Sequence, residues 1–290
     1  MSRLALARAL GAYLLWGLFP LYFQQLSEVA ALEILAHRIV WALVVLLIIL
    51  LAYRRLGEFS RLLRDRKNMF WLSLGSLMIA TNWFVYIYAI NHGRALEASL
   101  GYFINPLVNI VIAMLLLGER LSRNQMIAIL LAAMGISVQL FEAAGLPWIS
   151  VTLALSWGSY SLIKKKMQAP ALTALSAETL VLAPLALGYL LWLQSQGGLV
   201  FGQNIYYNSL LPLAGLVTAL PLLLFGAAAK QLSLVTLSFI QYITPSMLFI
   251  IALVVFDEPL TQSKAITFAC IWAGLIFFSL DQLPRKRDVN

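Results

Sequence analysis

The chain has 290 residues, of which 62% are hydrophobic and only 11% are charged, and its formal net charge is +8. A soluble domain carries about 25% charged residues, so this composition excludes a soluble fold and indicates a polytopic membrane protein. A single cysteine, Cys270, and two histidines, His37 and His92, exclude a disulfide framework and a Cys/His metal cluster.

Ten segments are long and apolar enough to cross a hydrocarbon core that takes about 20 residues. Most connections are short, so neighbouring helices run antiparallel, and no segment alternates like a membrane β-strand. We therefore predict an all-α integral membrane protein with ten transmembrane helices. No small-residue cleavage pattern follows the first segment, so we expect a retained helix rather than a signal peptide. The predicted spans are 4–26, 32–53, 69–91, 96–117, 122–141, 147–166, 171–193, 207–229, 233–256 and 262–282.

Lys and Arg residues cluster in connections that alternating spans place on one side of the membrane. Only Arg94 and Lys264 fall on the other side, and Arg38 lies within a span. Because basic connections stay in the cytoplasm, we expect both termini there. Basic clusters beside anionic lipid also explain the net charge without a nucleic-acid partner. The clusters are the chain start, 54–68, 120–123, 164–166, Lys230 and 285–287.

An internal repeat divides the chain into two halves. At an offset of 139 residues, Ser, Pro, Glu, Leu and Gly recur without a gap, and two dipeptides recur at nearly the same offset. Five spans are an odd number, so the second half enters the membrane inverted, which is typical of secondary transporters. We predict two five-helix repeats, 1–145 and 146–290. The matched positions are Ser99/Ser238, Pro106/Pro245, Glu119/Glu258, Leu121/Leu260, Gly135/Gly274, Trp16-Gly17/Trp157-Gly158 and Ala31-Leu32/Ala171-Leu172.

Asn82-Trp83, the run EASLGYFINPL from Glu97 to Leu107, and GERL at 118–121 resemble the RarD branch of EamA-type permeases. His37-Arg38, Glu178-Thr179 and the run 241–245 resemble that branch as well. The resemblance covers essentially the whole chain. It implies membership of the drug/metabolite transporter superfamily, ten helices in two inverted repeats, a bacterial inner-membrane location and transport of small molecules.

Three charged residues within or at the edge of spans are candidates for charge or proton coupling. Arg38 is the costliest, since a cation in mid-helix costs about 2.5 kcal/mol or more unless it has a partner or a purpose. Glu97 enters its helix from the same face and is the expected partner. The alternatives for Arg38 are counter-charge for an anionic or zwitterionic substrate, or snorkelling to the headgroups. Glu178 approaches from the opposite face, where it either exchanges a proton or is a hydrogen-bonded carboxyl near the interface.

Aromatic and amide side chains on interior stripes are candidates for substrate binding, because small solutes need an apolar cavity with a few polar groups. Aromatic residues near helix ends are alternatively interface anchors, and the deep amides alternatively make interhelical polar contacts. The candidates are Trp16, Asn82, Tyr86, Tyr102, Asn105, Trp157, Tyr160 and Gln241.

Pro106 and Pro245 interrupt the hydrogen-bond ladders of equivalent helices, so they are hinge candidates, although membrane helices also tolerate proline without motion. Glu119 and Glu258 lie at equivalent helix ends, where we expect structural roles. Ser122 is the expected cap of the helix that begins beside it. Lys164 to Lys166 are interpreted as a stop signal at the membrane edge.

These observations favour a secondary transporter of small organic solutes, drugs or amino-acid-like metabolites, that works by alternating access. There is no GxxxxGK[ST] loop, and we expect no cofactor, no metal and no catalytic residue. The alternatives are a non-transporting sensor or partner on a transporter fold, and a membrane-embedded enzyme acting on lipid-linked substrates. The only adjacent acidic pair, Asp257-Glu258, lacks a neighbouring base. Homo-oligomerisation is left open, as are the substrate, the direction and the coupling ion.

Overall fold

The computed structural model describes residues 3–117, 122–141, 147–167, 169–229, 231–232 and 240–282. Within these ranges all regular elements are α-helices, numbered α1 to α11 in chain order. They are α1 (Arg3–Gln24), α2 (Ala31–Ala52), α3 (Leu56–Arg64), α4 (Arg66–Asn91), α5 (Ala95–Leu117), α6 (Arg123–Phe141), α7 (Trp148–Lys166), α8 (Ala171–Ser195), α9 (Ile205–Ala229), α10 (Ile243–Val254) and α11 (Gln262–Gln282).

Each predicted span contains a described helix, although only part of the ninth span, from Ile240, is described. In the described part of the chain, five helical stretches are long and apolar enough to cross a bilayer by themselves, namely α1, α2, α4, α8 and Ile205–Phe225 of α9. Shorter apolar helices accompany them. A chain whose described elements are all helical, with several such segments among them, is a multi-pass membrane protein.

The connection between α2 and α4 contains the short helix α3, which is not among the predicted spans. Phe59 and Leu62 are buried on one side of α3, and Arg61 and Arg64 are exposed. A helix with one apolar and one basic face is suited to the membrane surface. Asp65 ends α3 and begins α4, because its side chain accepts hydrogen bonds from the backbone of Lys67 and Asn68.

Helices from the two chain halves interleave. α1 packs against α9 and α10, whereas α7 packs against α4 and α5. α2 packs against α8 and α9, and α6 packs against α11. Glycine permits the closest approach: a Cβ placed on Gly215 of α9 would lie 2.4 Å from the carbonyl carbon of Trp41 on α2. Small residues allow such contact between membrane helices.

The contact between α6 and α11 is reciprocal. A Cβ on Gly135 would lie 3.2 Å from the carbonyl oxygen of Thr267, and a Cβ on Gly274 would lie 3.0 Å from that of Ala128. Adding 139 to Gly135 and Ala128 gives Gly274 and Thr267. The contact of Gly135 with Thr267 is therefore repeated, with the roles of the two halves exchanged, by the contact of Gly274 with Ala128.

Candidate functional site

Arg38, the eighth residue of α2, lies buried inside the bundle with only 4% of its surface exposed. Its Nε donates a hydrogen bond of 2.8 Å to Thr218 Oγ1 on α9. The guanidinium carbon lies 4.2 Å from the ring centre of Trp83 and 5.6 Å from the ring centres of Phe19 and Phe23. Cation–π contacts of this kind contribute about 0.5–2 kcal/mol, so three rings hold the charge in place.

Three tyrosines complete the surroundings of Arg38. The side chains of Tyr22, Tyr86 and Tyr102 lie near its guanidinium. The rings of Tyr86 and Tyr102 are 5.8 Å apart, and Tyr22 donates a hydrogen bond to the carbonyl oxygen of Leu210 on α9. Phe19, Tyr22, Phe23, Trp83, Tyr86 and Tyr102, arranged around Arg38, are called the Arg38 chamber below.

The prediction that Glu97 is the partner of Arg38 is wrong. Glu97 binds Arg94 instead, through two hydrogen bonds of 2.7 and 2.8 Å. The reason is local, because Arg94 immediately precedes α5 and lies three residues from Glu97 in its first turn. Among the described residues, the only hydrogen-bond acceptor for Arg38 is Thr218, and no carboxylate lies within 4.0 Å of the guanidinium.

Asn82 makes polar contacts between helices at the edge of the Arg38 chamber. Its side-chain nitrogen donates to the carbonyl oxygen of Leu153 at 3.0 Å and to Ser156 Oγ at 3.1 Å, both on α7. Its side-chain oxygen accepts from the Tyr102 hydroxyl at 3.2 Å. Asn82 therefore orients Tyr102 and joins α4, α5 and α7. Of the predicted binding residues, Asn82, Tyr86 and Tyr102 are the ones brought together at Arg38.

Glu178, the eighth residue of α8, is fully buried and belongs to a second polar cluster. Lys164 Nζ lies 2.6 Å from its Oε1, and the Tyr160 hydroxyl donates to its Oε2 at 2.9 Å. Ser76 on α4 donates to its backbone carbonyl at 3.2 Å. Lys164 is thus more than a membrane-edge charge, because it neutralises a carboxylate inside the bundle. Lys164, Glu178 and Tyr160 are called the Glu178 triad.

The remaining predicted binding residues are dispersed. Trp16 lies against Tyr13 and Phe225 in a group of three rings between α1 and α9. Trp157 contacts Tyr160 with ring centres 5.8 Å apart. Asn105 on α5 is 8% exposed, and its buried Oδ1 has no hydrogen-bond partner in the described part of the chain. Gln241 lies in the turn before α10.

Pro245 lies in the first turn of α10, where the helix follows a turn at 241–242. Proline has no N–H to donate to the carbonyl of Gln241, and that carbonyl accepts from the backbone of Thr244 at 3.2 Å instead. The side chain of Thr244 donates to the carbonyl of Tyr13, and Ser99 donates to that of Pro245, both at 2.8 Å. This bend is therefore anchored to α1 and α5. The side chain of Pro106 lies outside the described residues.

The structural role expected for Glu258 is confirmed. Its carboxylate accepts hydrogen bonds from the backbone N–H groups of Ala95 and Leu96, the first two residues of α5. Such an acceptor satisfies N–H groups that have no partner within the helix. Burial raises the pKa of this carboxyl, although its backbone hydrogen bonds act in the opposite direction. Glu119 lies outside the described residues.

The cap expected at Ser122 is also confirmed. Ser122 Oγ accepts from the backbone of Gln125, whose side chain accepts from the backbone of Ser122 in return. Sequence analysis missed Thr218, Phe19, Phe23 and the pairing role of Lys164. No local pattern marks these residues, because each meets its partner only through packing of distant helices.

Comparisons with known proteins agree with this architecture. Residues 3–141 match the model of the EamA-like transporter family. The chain is 44% identical to "Uncharacterized transporter YojE" of Bacillus subtilis, over 95% of this chain and 93% of that protein. It is 40% identical to "Protein RarD" of Escherichia coli, over 100% of this chain and 98% of that protein. A crystal structure with a TM-score of 0.62 and 19% identity shares the fold across 96% of this chain and 97% of that one.

A helical membrane bundle with these relatives is a membrane transporter. The chain belongs to the EamA-like transporter family and, within it, to the RarD-type permeases. A more distant relative, 29% identical over 96% of the chain, is "Chloramphenicol-sensitive protein RarD" of Pseudomonas aeruginosa.

Proposed function

We propose that the chain is a secondary transporter of small organic solutes bearing a carboxylate or another anionic group, such as amino-acid-like metabolites. One observation carries this proposal. Arg38 is buried among six aromatic side chains, and its only acceptor among the described residues is the neutral Thr218 hydroxyl. A buried cation without a carboxylate is costly, and a substrate anion would compensate that cost.

The Arg38 chamber suits an amphipathic solute. Planar guanidinium groups bind carboxylates through two parallel hydrogen bonds, and Thr218 occupies only the Nε position. The rings of Trp83, Tyr86 and Tyr102 offer apolar surface to the rest of such a molecule. An aromatic amino acid and a drug with an acidic group both meet these requirements.

Alternating access between two inverted five-helix halves, 1–145 and 146–290, is the transport mechanism that we assign. The reciprocal contacts of Gly135 with Thr267 and of Ala128 with Gly274 support a two-fold relationship between the halves. Arg38 lies eight residues into α2 and Glu178 eight residues into α8, from opposite ends of the bundle. Substrate at Arg38 and a proton at Glu178 would then be exposed to the two sides in turn. In this scheme Pro106 and Pro245 act as hinges.

Transport would take place in the bacterial inner membrane with both termini in the cytoplasm. The basic connection 54–68 is the strongest signal for that orientation. This orientation can be measured with single cysteines placed at Ser60 or Ser27 in a protein that also carries Cys270→Ala. An impermeant maleimide added to intact cells should label position 27 and leave position 60 unlabelled. The reverse labelling pattern would show that the protein has the opposite orientation.

Counterflow in proteoliposomes tests the proposed function. Labelled amino acids, aromatic carboxylates and chloramphenicol-like drugs are offered to the wild type, Arg38→Lys, Arg38→Gln and the matched control Arg94→Gln, which removes an arginine already paired with Glu97. Hydrogen bonds to charged groups contribute about 1.5–3 kcal/mol, so Arg38→Gln should reduce flux of anionic solutes by about tenfold or more. Equal loss in Arg94→Gln, or flux of neutral solutes alone, would contradict the assignment. Solute binding without flux in the wild type would indicate a sensor instead.

A further inference from the structure

A cavity of about 580 Å³ lies at the basic end of the bundle, between α3, the start of α4 and the segment that leads into α8. Arg54, Arg55 and Arg61 line it from one chain half, and Pro170 and Thr173 line it from the other. This volume is within the range of small-molecule sites. The cavity is separate from the Arg38 chamber and from the Glu178 triad, and transport as proposed does not use it.

The arginines of this cavity are only partly neutralised. Arg55 Nε pairs with Glu58 at 3.1 Å, whereas Asp65 is engaged by the backbone of Lys67 and Asn68 and by the side chain of Asn68. Arg61 Nε donates to the carbonyl oxygen of Gly57 at 3.3 Å, and the guanidinium of Arg54 has no acceptor among the described residues. Two guanidinium groups are therefore available to an anion.

Arg54 occupies a backbone position that disfavours it. It follows the C-terminal end of α2 with φ +55°, and the N–H of Arg55 reaches back to the carbonyl of Leu50 at 2.9 Å. This is the helix-ending motif in which glycine normally adopts the left-handed conformation. An arginine in this conformation is strained. The turn itself would favour glycine, so we attribute the presence of arginine at this position to its side chain.

Exposed apolar side chains neighbour the cavity-lining residues in sequence. Tyr53 precedes Arg54, Leu56 follows Arg55, and Phe70 lies two residues beyond Asn68 at the start of α4. Their exposed fractions are 73%, 40% and 64%. At the end of a membrane-spanning bundle, such side chains face the boundary between headgroups and acyl chains.

We propose that this cavity binds the phosphate headgroup of an anionic phospholipid, held by Arg54 and Arg61, with the acyl chains along Tyr53, Leu56 and Phe70. The site bridges the α2–α4 connection and the start of α8, so the lipid ties the two chain halves together at this end. The membrane supplies the ligand, which distinguishes the site from one for a soluble phosphate.

Purified, delipidated protein would be titrated with phosphatidylglycerol and, separately, phosphatidylcholine, with bound lipids counted by native mass spectrometry and melting temperature recorded. We expect phosphatidylglycerol to bind and to raise the melting temperature, and phosphatidylcholine to do neither. Each arginine near a membrane surface contributes about 1 kcal/mol, so Arg61→Gln should weaken phosphatidylglycerol binding about fivefold. Arg66→Gln, the same charge change on the same connection but outside the cavity, should leave it unchanged.

Arg54→Gly separates binding from folding. Glycine adopts the left-handed conformation without strain, so the melting temperature of the lipid-free protein should rise. The increase in melting temperature that phosphatidylglycerol causes should become smaller. Undiminished lipid binding in Arg54→Gly, or equal loss in Arg66→Gln, would overturn the proposed site. If glycerol 1-phosphate or inorganic phosphate binds as tightly as the lipid, the lipid assignment is overturned in favour of a soluble anion.

Discussion

Arg38 and Glu178 are the eighth residues of α2 and α8, two helices that pack against each other. At 1.5 Å per residue, each lies about 10 Å from the start of its helix. The two charges do not pair. Arg38 lies among aromatic rings with a hydroxyl, and Glu178 binds Lys164 and Tyr160. Equivalent positions of opposite charge are therefore held in different environments, one without a counter-ion and one with a lysine.

The environment of Arg38 predicts a conflict between stability and binding. Replacing Arg38 with Met removes a buried charge that has no carboxylate partner, and the Thr218 hydroxyl keeps its hydrogen bond to the carbonyl of Ala214. We expect the free energy of unfolding of Arg38→Met to be unchanged or higher by about 1 kcal/mol, since the desolvation gain offsets the lost cation–π contacts. Melting curves in detergent measure this, and solute-dependent shifts should disappear. A large destabilisation would show that Arg38 is structural.

The Glu178 triad predicts unequal effects of its two charged members. Lys164→Met leaves a carboxylate buried without its cation, which costs about 3 kcal/mol. Glu178→Gln costs about 1 kcal/mol, because the amide still accepts from Tyr160 and the partly exposed Lys164 extends to water. Melting temperatures of the two single variants and of the double variant test this. The double variant should be more stable than Lys164→Met alone, and equal destabilisation by both single substitutions would contradict the buried-charge explanation.

Sequence reasoning succeeded where a residue's environment is determined by its own helix. The helices themselves, the cap at Ser122 and the separation of Arg38 from Glu178 follow from apolar periodicity, short-range hydrogen bonding and alternating spans. It failed where the partner comes from a distant segment. Thr218 is 180 residues from Arg38, and nothing in the sequence between them specifies that α9 brings its hydroxyl to α2.

Glu97 shows the opposite error. A long-range partner was assigned to a carboxylate whose counter-charge, Arg94, lies three residues away. Glu97 was assigned to Arg38 because a buried arginine is costly without a counter-charge. Arg94, however, can pair with Glu97 without any tertiary contact. A local partner at helical spacing should be considered before a distant one.

Gly215 predicts where α9 cannot tolerate a methyl group. A Cβ there would lie 2.4 and 2.5 Å from the backbone carbon and oxygen of Trp41, atoms that can move only with α2 itself. We expect Gly215→Ala to destabilise the protein by about 3 kcal/mol and to separate Thr218, one turn along, from Arg38. Gly188→Ala is the matched control, since nothing lies within 4 Å of its Cβ, and it should gain about 0.5–1 kcal/mol. Similar melting temperatures for both would contradict the close approach of α2 and α9.

Glu258 predicts a dependence of stability on pH, and it lies in the connection between α10 and α11, outside the spans. Burial raises its pKa above the ordinary value of 4.5, so the folded protein binds the proton more tightly than the unfolded chain. Its contribution to stability is thus fully present below pH 4.5 and is lost as the pH rises through the folded-state pKa.

Two substitutions separate that charge effect from the cap. Glu258→Gln mimics the protonated carboxyl, so its stability should match the wild type near pH 4.5 and equal or exceed it at pH 7.5. Glu258→Ala removes the acceptor for the N–H groups of Ala95 and Leu96 and should be about 1 kcal/mol less stable than Glu258→Gln at both pH values. Melting temperatures of the three proteins across this range decide the matter. A wild type that gains stability over Glu258→Gln with rising pH would show that the capping hydrogen bonds, rather than burial, control this carboxyl.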